Sequence, residues 1–286
     1  MPRQTGVLVI GATGNVGRNV VGGLVDRGVP VRALTRRPDQ AGLPPAADVV
    51  RGDLTDPASL QAALDGIGAV FLVWPFLTAD DAPAVLGLIA EHARRVVYLS
   101  SAGVDDAAEH QADPINQFHA DVERAIAASG VEWTFLRGGG FATNNLEWAE
   151  TIRTEGVVRA PFPHAARSLV HERDIAAVGV RALTEDGHTG ATYMLTGPAS
   201  LTLVEQVDAI AAALDRPVRY EEVPPEEVRA QMLDAGWPAD VVDGILNHHD
   251  ATQDTADPVT TTVEDVTGTP ARTFRQWALD HADDFR

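Results

Sequence analysis

The apolar residues of the chain fall into short runs separated by stretches of helical period. Residues 6–10 (GVLVI), 30–34 (PVRAL), 47–50 (ADVV), 69–74 (AVFLVW), 95–100 (RVVYLS) and 131–136 (VEWTFL) are rich in β-branched or aromatic side chains. Each predicts a buried strand. The segments 14–27, 57–65, 79–93 and 114–129 have helical spacing, with Phe118, Val122, Ala125 and Ile126 on one face of the last. Strands alternating with helices imply right-handed crossovers, so an α/β fold with a doubly wound parallel sheet is expected to about residue 137.

Beyond that point the rhythm changes. Gly138-Gly139-Gly140 interrupts the chain, an amphipathic helix is expected at about 145–155, and Pro161-Phe162-Pro163 makes a loop that can reach back over the sheet. Asp174 is expected to cap a helix running to about 184, with a strand at 191–195 and a strongly amphipathic helix at 201–214. A strand-like 217–223, helices at 225–235 and 238–247, and a final helix after Thr269-Pro270 follow, while acid-rich 249–258 reads as a solvated loop. The expected division is a core of 1–140, to which 165–197 returns, and a smaller lobe of 141–164 and 198–286.

Composition narrows the chemistry. The 286 residues carry 41 acidic against 22 basic side chains, a formal net charge of −19, with no basic run to offset it locally. Such a chain repels a phosphate backbone, so no nucleic-acid partner is expected. The absence of cysteine excludes disulfides, thiolate nucleophiles and Cys-ligated zinc or iron–sulfur centres. His248-His249-Asp250 lies in the acid-rich stretch, where solvent rather than a metal is expected. Met1-Pro2-Arg3-Gln4-Thr5 leads straight into Val7-Leu8-Val9-Ile10, too short for a signal core, and no apolar run approaches the ~18 residues needed to span a bilayer. A cytoplasmic protein without a membrane partner, monomeric or homodimeric, is expected.

The join between the first strand and first helix reads Gly11-Ala12-Thr13-Gly14-Asn15-Val16-Gly17. Gly11 suits a tight turn, Gly14 lets the backbone approach a pyrophosphate, and Gly17 lets the helix pack closely on the strand. Free amides at that helix N-terminus then face a diphosphate, which points to a bound dinucleotide. An NAD site usually carries an acid at the end of its second strand, but here Thr35-Arg36-Arg37 stands there. A guanidinium matches a 2′-phosphate in charge and donor geometry, so NADP(H) is expected over NAD(H). Asp53, followed by Leu54, is placed either to accept from the adenine amino group or to cap the next helix. Trp74-Pro75-Phe76 follows the fourth strand; its backbone borders the cofactor, and its rings either wall the substrate site or pack in the core.

GATGNVG, Thr35-Arg36, GDLTDPASL, VVYLSSAGV, GVEWTFLRGGGFATNNL, HERDIA and YMLTGP together resemble the NmrA-like branch of the atypical short-chain dehydrogenases/reductases over nearly the whole chain. The resemblance implies a Rossmann core, a smaller C-terminal α/β substrate lobe and a substrate cleft between them. It also implies NAD(P)H-dependent reduction of quinones and related compounds, although some members bind the dinucleotide without turning it over. One departure stands out. Where the wider superfamily carries Tyr-x-x-x-Lys, this chain has His119-Ala120-Asp121-Val122-Glu123. His119 is the candidate proton donor, with Glu123 one turn later to orient it, unless the two form an ordinary surface ion pair. Ser101 is the candidate catalytic hydroxyl, with Ala102 the alternative occupant of that position. Phe141 and Asn144, with Asn145, are candidate substrate contacts. The leading expectation is an NADPH-dependent reductase of a small, largely apolar carbonyl, quinone or conjugated compound. The alternatives are a non-catalytic NADP(H) sensor and a non-redox biosynthetic enzyme that retains the nucleotide.

Overall fold

Seven of the apolar runs line up side by side in the computed structural model, which describes residues 6–286; the reading of residues 1–5 lies outside them. The first half of the chain forms β1 (Gly6–Ile10), α1 (Asn15–Asp26), β2 (Val31–Thr35), β3 (Asp48–Arg51), α2 (Pro57–Leu64), β4 (Ile67–Leu72), α3 (Ala82–His92), β5 (Arg95–Ser101), α4 (Pro114–Ala128) and β6 (Glu132–Gly138). The second half adds α5 (Ala149–Glu155), β7 (Val157–Ala160), β8 (Ala166–Arg167), α6 (Glu172–Thr184), β9 (Ala191–Leu195), β10 (Leu201–Thr202) and α7 (Leu203–Leu214). It ends with β11 (Arg219–Glu222), α8 (Pro225–Asp234), α9 (Ala239–Asp254), α10 (Thr262–Thr267) and α11 (Phe274–Asp280).

The main sheet has the order β3-β2-β1-β4-β5-β6-β9. Its ladders from β3 through β6 are all parallel. Gly190 N–H donates to Trp133 O at 2.8 Å and Gly139 N–H to Leu195 O at 2.9 Å, so both strands advance together and β9 is parallel as well. Leu8, Val9, Val70, Phe71, Val96 and Val97 are fully buried, as strands covered on both faces require. After β3 the chain crosses to the other side of β1 to form β4. The C-terminal ends of β1 and β4 therefore diverge at the switch point, where open α/β sheets bind ligands.

Two compact units result. The first contains the described residues up to Glu109, Asn116–Gly138 and Glu172–Met194; the second contains His110–Ile115, Gly139–His171 and Leu195–Arg286. In the second, β7 pairs in parallel with β11 and β8 antiparallel with β10. Its core gathers Ile152, Val158, Ile210 and Phe285 around Trp277, which stacks on Phe274 at 5.0 Å. Capping boxes at Thr202–Glu205 and Thr273–Gln276 start α7 and α11 by satisfying their first free amides.

Four local expectations need correction. The helix expected at about 145–155 begins as a 3-10 turn over Ala142–Trp148 and becomes α-helical only at Ala149, because Asn145 turns inward to donate to Gln206 Oε1 at 2.8 Å. Asp174 lies inside the first turn of α6, where it complements the helix dipole rather than capping it. Leu201 and Thr202 pair with β8, so α7 starts at Leu203. Finally, α9 runs on through Asp254 into the stretch read as loop. Val242, Leu246 and Thr252 form its buried face, and the acidic residues occupy the outer one. Among the described residues no helix is long and apolar enough to cross a membrane.

Candidate active site

The three glycines of the β1–α1 turn answer to different constraints. Gly11 has φ +80°, and a Cβ there would stand 2.7 Å from Val73 Cβ, just past the end of β4. A Cβ on Gly17 would lie 2.1 Å from Gly11 O, so no side chain can follow α1 into this turn. Gly14 differs. Its backbone is extended (φ −77°, ψ 174°), its N–H donates to Gly11 O at 3.0 Å, and a Cβ would meet only that same oxygen, at 3.3 Å. The protein's own packing thus demands glycine at 11 and 17, whereas at 14 it leaves space in front of the helix. Gly14 and Asn15 are exposed, and no acidic residue in the first turn of α1 opposes the positive end of its dipole. Thr13 O accepts from Arg18 Nη2 at 3.0 Å, which ties the turn to the helix. Val16 is buried, so only its backbone is available to a ligand.

The next two strand ends carry charge. Thr35 closes β2, its hydroxyl accepting from Arg37 N–H at 3.2 Å, and Arg36 is exposed beside it. After β3, Asp53 accepts from Thr55 N–H at 3.0 Å and from its hydroxyl at 2.9 Å. These bonds hold the Asp53 carboxyl below the usual carboxylate range, and the Arg36 charge adds to them. The cap of α2 is Asp56, which accepts from Ala58 N–H at 3.1 Å. Of the two roles open to Asp53, the helix cap is therefore taken. Leu54 is buried, as is Trp74, whose indole N–H donates to Thr78 O at 2.7 Å. Trp74 packs inward with its ring centroid 5.2 Å from that of half-buried Phe76; Pro75 is exposed.

The ends of β5 and β6 meet α4 through three hydrogen-bonded groups. Ser101, the last residue of β5, donates to Asn116 Oδ1 at 2.7 Å, and Ala102 N–H donates to Gly138 O at 3.0 Å. His119 Nδ1 lies 2.7 Å from the hydroxyl of Tyr98, a fully buried residue of β5. Burial, and after it the charge of Glu123, drives the Tyr98 pKa upward, so this phenol stays protonated. Glu123 itself does not serve His119. It accepts from Ser100 Oγ at 2.5 Å and from Arg137 Nε and Nη2 at 3.0 and 2.6 Å, all in the core. Arg137 also grips Asp106 with two bonds of 2.6 and 3.0 Å, which lowers that carboxyl's pKa. The expected His119–Glu123 pairing is corrected on this point: the i, i+4 spacing is present, but a buried guanidinium outcompetes the imidazole for the carboxylate.

Tyr98, Asn116 and Arg137 are the polar residues that sequence reasoning missed. Phe141 and Asn144 belong to the second unit. Phe141 is half-buried and bridges to Val170, while Asn144 is exposed at the start of the 3-10 turn. His249, read as solvated, lies instead on the buried side of α9 next to Arg167, His248 and Asp257. Among the described residues no group of three or more potential ligands is placed to hold a metal ion.

Known proteins resemble this chain in sequence and fold. The model of the NAD(P)H-binding family matches residues 11–186. Over 282 residues, 98% of this chain and 99% of the other, the chain is 40% identical to the (4-alkanoyl-5-oxo-2,5-dihydrofuran-3-yl)methyl phosphate reductase of Streptomyces griseus. It is 36% identical to the NAD(P)H azoreductase of Xenophilus azovorans, covering 96% and 98% of the two chains. The NADPH complex of the quinone oxidoreductase of Escherichia coli has the same fold, with a TM-score of 0.78 at 23% identity over 95% of this chain and 98% of that one. The chain therefore belongs to the NAD(P)H-binding family of atypical, NmrA-like short-chain dehydrogenases/reductases and is an NAD(P)H-dependent oxidoreductase.

Proposed function

We propose that the protein is an NADPH-dependent reductase of a small, largely apolar carbonyl, quinone or other conjugated compound. The observation that carries this reading is the space left at Gly14, in front of an unopposed helix N-terminus and on the same sheet edge as Arg36. Backbone groups of Gly11, Thr13, Gly14, Asn15, Val16 and Gly17 hold the diphosphate, and Thr35 and Arg36 hold the adenosine 2′-phosphate. Asp53 and Leu54 border the adenine, and Trp74 and Pro75 continue the floor with their backbone. The bound nicotinamide supplies the hydride.

The chain's own residues then manage position and proton. Held through Nδ1 by Tyr98, the His119 imidazole is the proton donor. The Tyr98 hydroxyl accepts from a charged ring and donates to a neutral one, so the imidazole keeps its orientation in both states. Ser101, fixed by Asn116, offers a hydroxyl at the end of β5. Phe76 contacts the substrate. Two relatives of high coverage act on an alkanoyl-butenolide phosphate and, as an azoreductase, on azo compounds, which favours an electron-poor conjugated acceptor here.

Loss of NADPH absorbance tests the reading, with a quinone, an azo dye and an alkanoyl-butenolide methyl phosphate offered in turn. Oxidation of NADPH by at least one of these is expected. Saturable NADPH binding with no turnover of any acceptor would contradict it and favour a non-catalytic binder.

A further inference from the structure

The second unit concentrates unpaired positive charge at one point. A surface cavity of about 430 Å³ is lined by Arg153, Thr154, Glu155, Gly156, Arg216, Pro217 and Arg219. It forms where the end of α5, the end of α7 and the start of β11 converge: Gly156, the left-handed cap of α5, accepts from Arg219 N–H at 2.9 Å. Two of the guanidinium groups are fixed by backbone carbonyls. Arg153 Nη1 donates to Asp284 O at 2.6 Å, and Arg216 Nη2 donates to Ile152 O at 3.0 Å and Phe285 O at 3.2 Å. None of these acceptors carries a full charge.

The contrast with other arginines of the same unit is informative. Arg159, Arg167, Arg229 and Arg286 each pair with a carboxylate, as an excess of 19 negative charges makes easy. Among the described residues of this unit Arg153, Arg216, Arg219 and Arg275 have no carboxylate partner, and the first three share the cavity. Glu155, the one acid in the lining, is engaged by Arg159 at 2.7 Å. Capping of helix carbonyls accounts for Arg153 and Arg216 but leaves their remaining N–H groups, and it leaves Arg219 unexplained. We propose that this cavity is a second ligand site, separate from the β1–α1 turn, that binds a small, multiply charged phosphoryl compound such as a pyrophosphate or phosphate ester. Planar forks suit phosphoryl oxygens, two of the three here are held in place, and the cavity's volume suits a small molecule. This inference does not depend on the reductase reading.

Calorimetric titration of inorganic pyrophosphate into protein saturated with NADP⁺, so that the dinucleotide turn is filled, tests it. One site is expected, weakening as salt rises. Arg219→Ala should weaken it about tenfold or more, and Arg219→Glu should abolish it, with NADPH affinity unchanged. Arg153→Gln should weaken it similarly, and the exposed Arg219 keeps the test valid if that variant misfolds. A parallel titration with phenyl phosphate separates ester from inorganic ligands. No binding of either compound, or equal binding by the Arg219→Glu protein, overturns the proposal. So does a change of sedimentation coefficient in Arg219→Glu without any phosphoryl binding to the wild type, which would assign the arginines to an acidic segment of a second copy.

Discussion

Glu123 follows His119 by one helical turn, yet its carboxylate faces Arg137 across two hydrogen bonds of 2.6 and 3.0 Å in the core. Both side chains are only 7% exposed, and loss of Glu123 would leave Arg137 with the exposed carboxylate of Asp106 as its one charged partner. Glu123→Ala should therefore destabilise the fold, by less than the about 3–5 kcal/mol of a fully uncompensated buried charge. The double change Glu123→Leu with Arg137→Met should recover much of that loss. Urea denaturation of the single and double variants checks this, and a neutral Glu123→Ala would show that the pair does not hold α4 to the sheet.

Removal of the His119 imidazole should act on turnover instead. General acid catalysis is worth about 10²–10⁴-fold, so His119→Phe should lower kcat by that order while leaving NADPH affinity nearly intact. Tyr98→Phe deletes the hydrogen bond that orients the ring, about 1 kcal/mol, and should cost roughly fivefold in kcat. Retention of the rate in His119→Phe would move the proton to water, substrate or Ser101.

The glycines of the turn should separate by experiment. Gly14→Val should keep the circular dichroism of the wild type and lose dinucleotide binding, since the chain itself nearly accommodates the new side chain. Gly17→Val should fail to fold, because its Cβ would sit 2.1 Å from Gly11 O. Normal cofactor binding by a folded Gly14→Val protein would misplace the diphosphate.

β1 is bounded as expected at Gly6–Ile10, because a β-branched run closed by glycine admits little else. The turn was legible because its three glycines are local in sequence. The Tyr98–His119 contact was not, since it joins residues 21 apart on different elements. Glu123 misled because i, i+4 spacing on one helix says nothing of a guanidinium arriving from β6. In α9, composition masked the helical face formed by Val242, Leu246 and Thr252.

Acid should weaken the second unit through His249. Burial, followed by the Arg167 and His248 charges, pushes its pKa down to about 3 from 6.5, with the Asp257 carboxylate opposing. The folded state thus binds this proton less tightly than the unfolded chain, so the histidine's contribution is intact above about pH 6.5 and shrinks as pH falls below it. The slope from this one group approaches about 1.4 kcal/mol per pH unit. Denaturation midpoints at pH 7, 6 and 5 for the wild type and His249→Gln check it, the variant being the flatter of the two.

Arg36 is the proposed selector of the cofactor. A charge-assisted fork on a 2′-phosphate contributes about 1.5–3 kcal/mol, a preference of roughly tenfold or more. Fluorescence titration of NADPH and NADH into the wild type and Arg36→Ala measures this most directly. The wild type should bind NADPH at least about tenfold more tightly, a margin that shrinks with salt and collapses in Arg36→Ala while NADH affinity stays put. Equal affinities for the two cofactors in the wild type, or an unchanged preference in Arg36→Ala, would contradict the account.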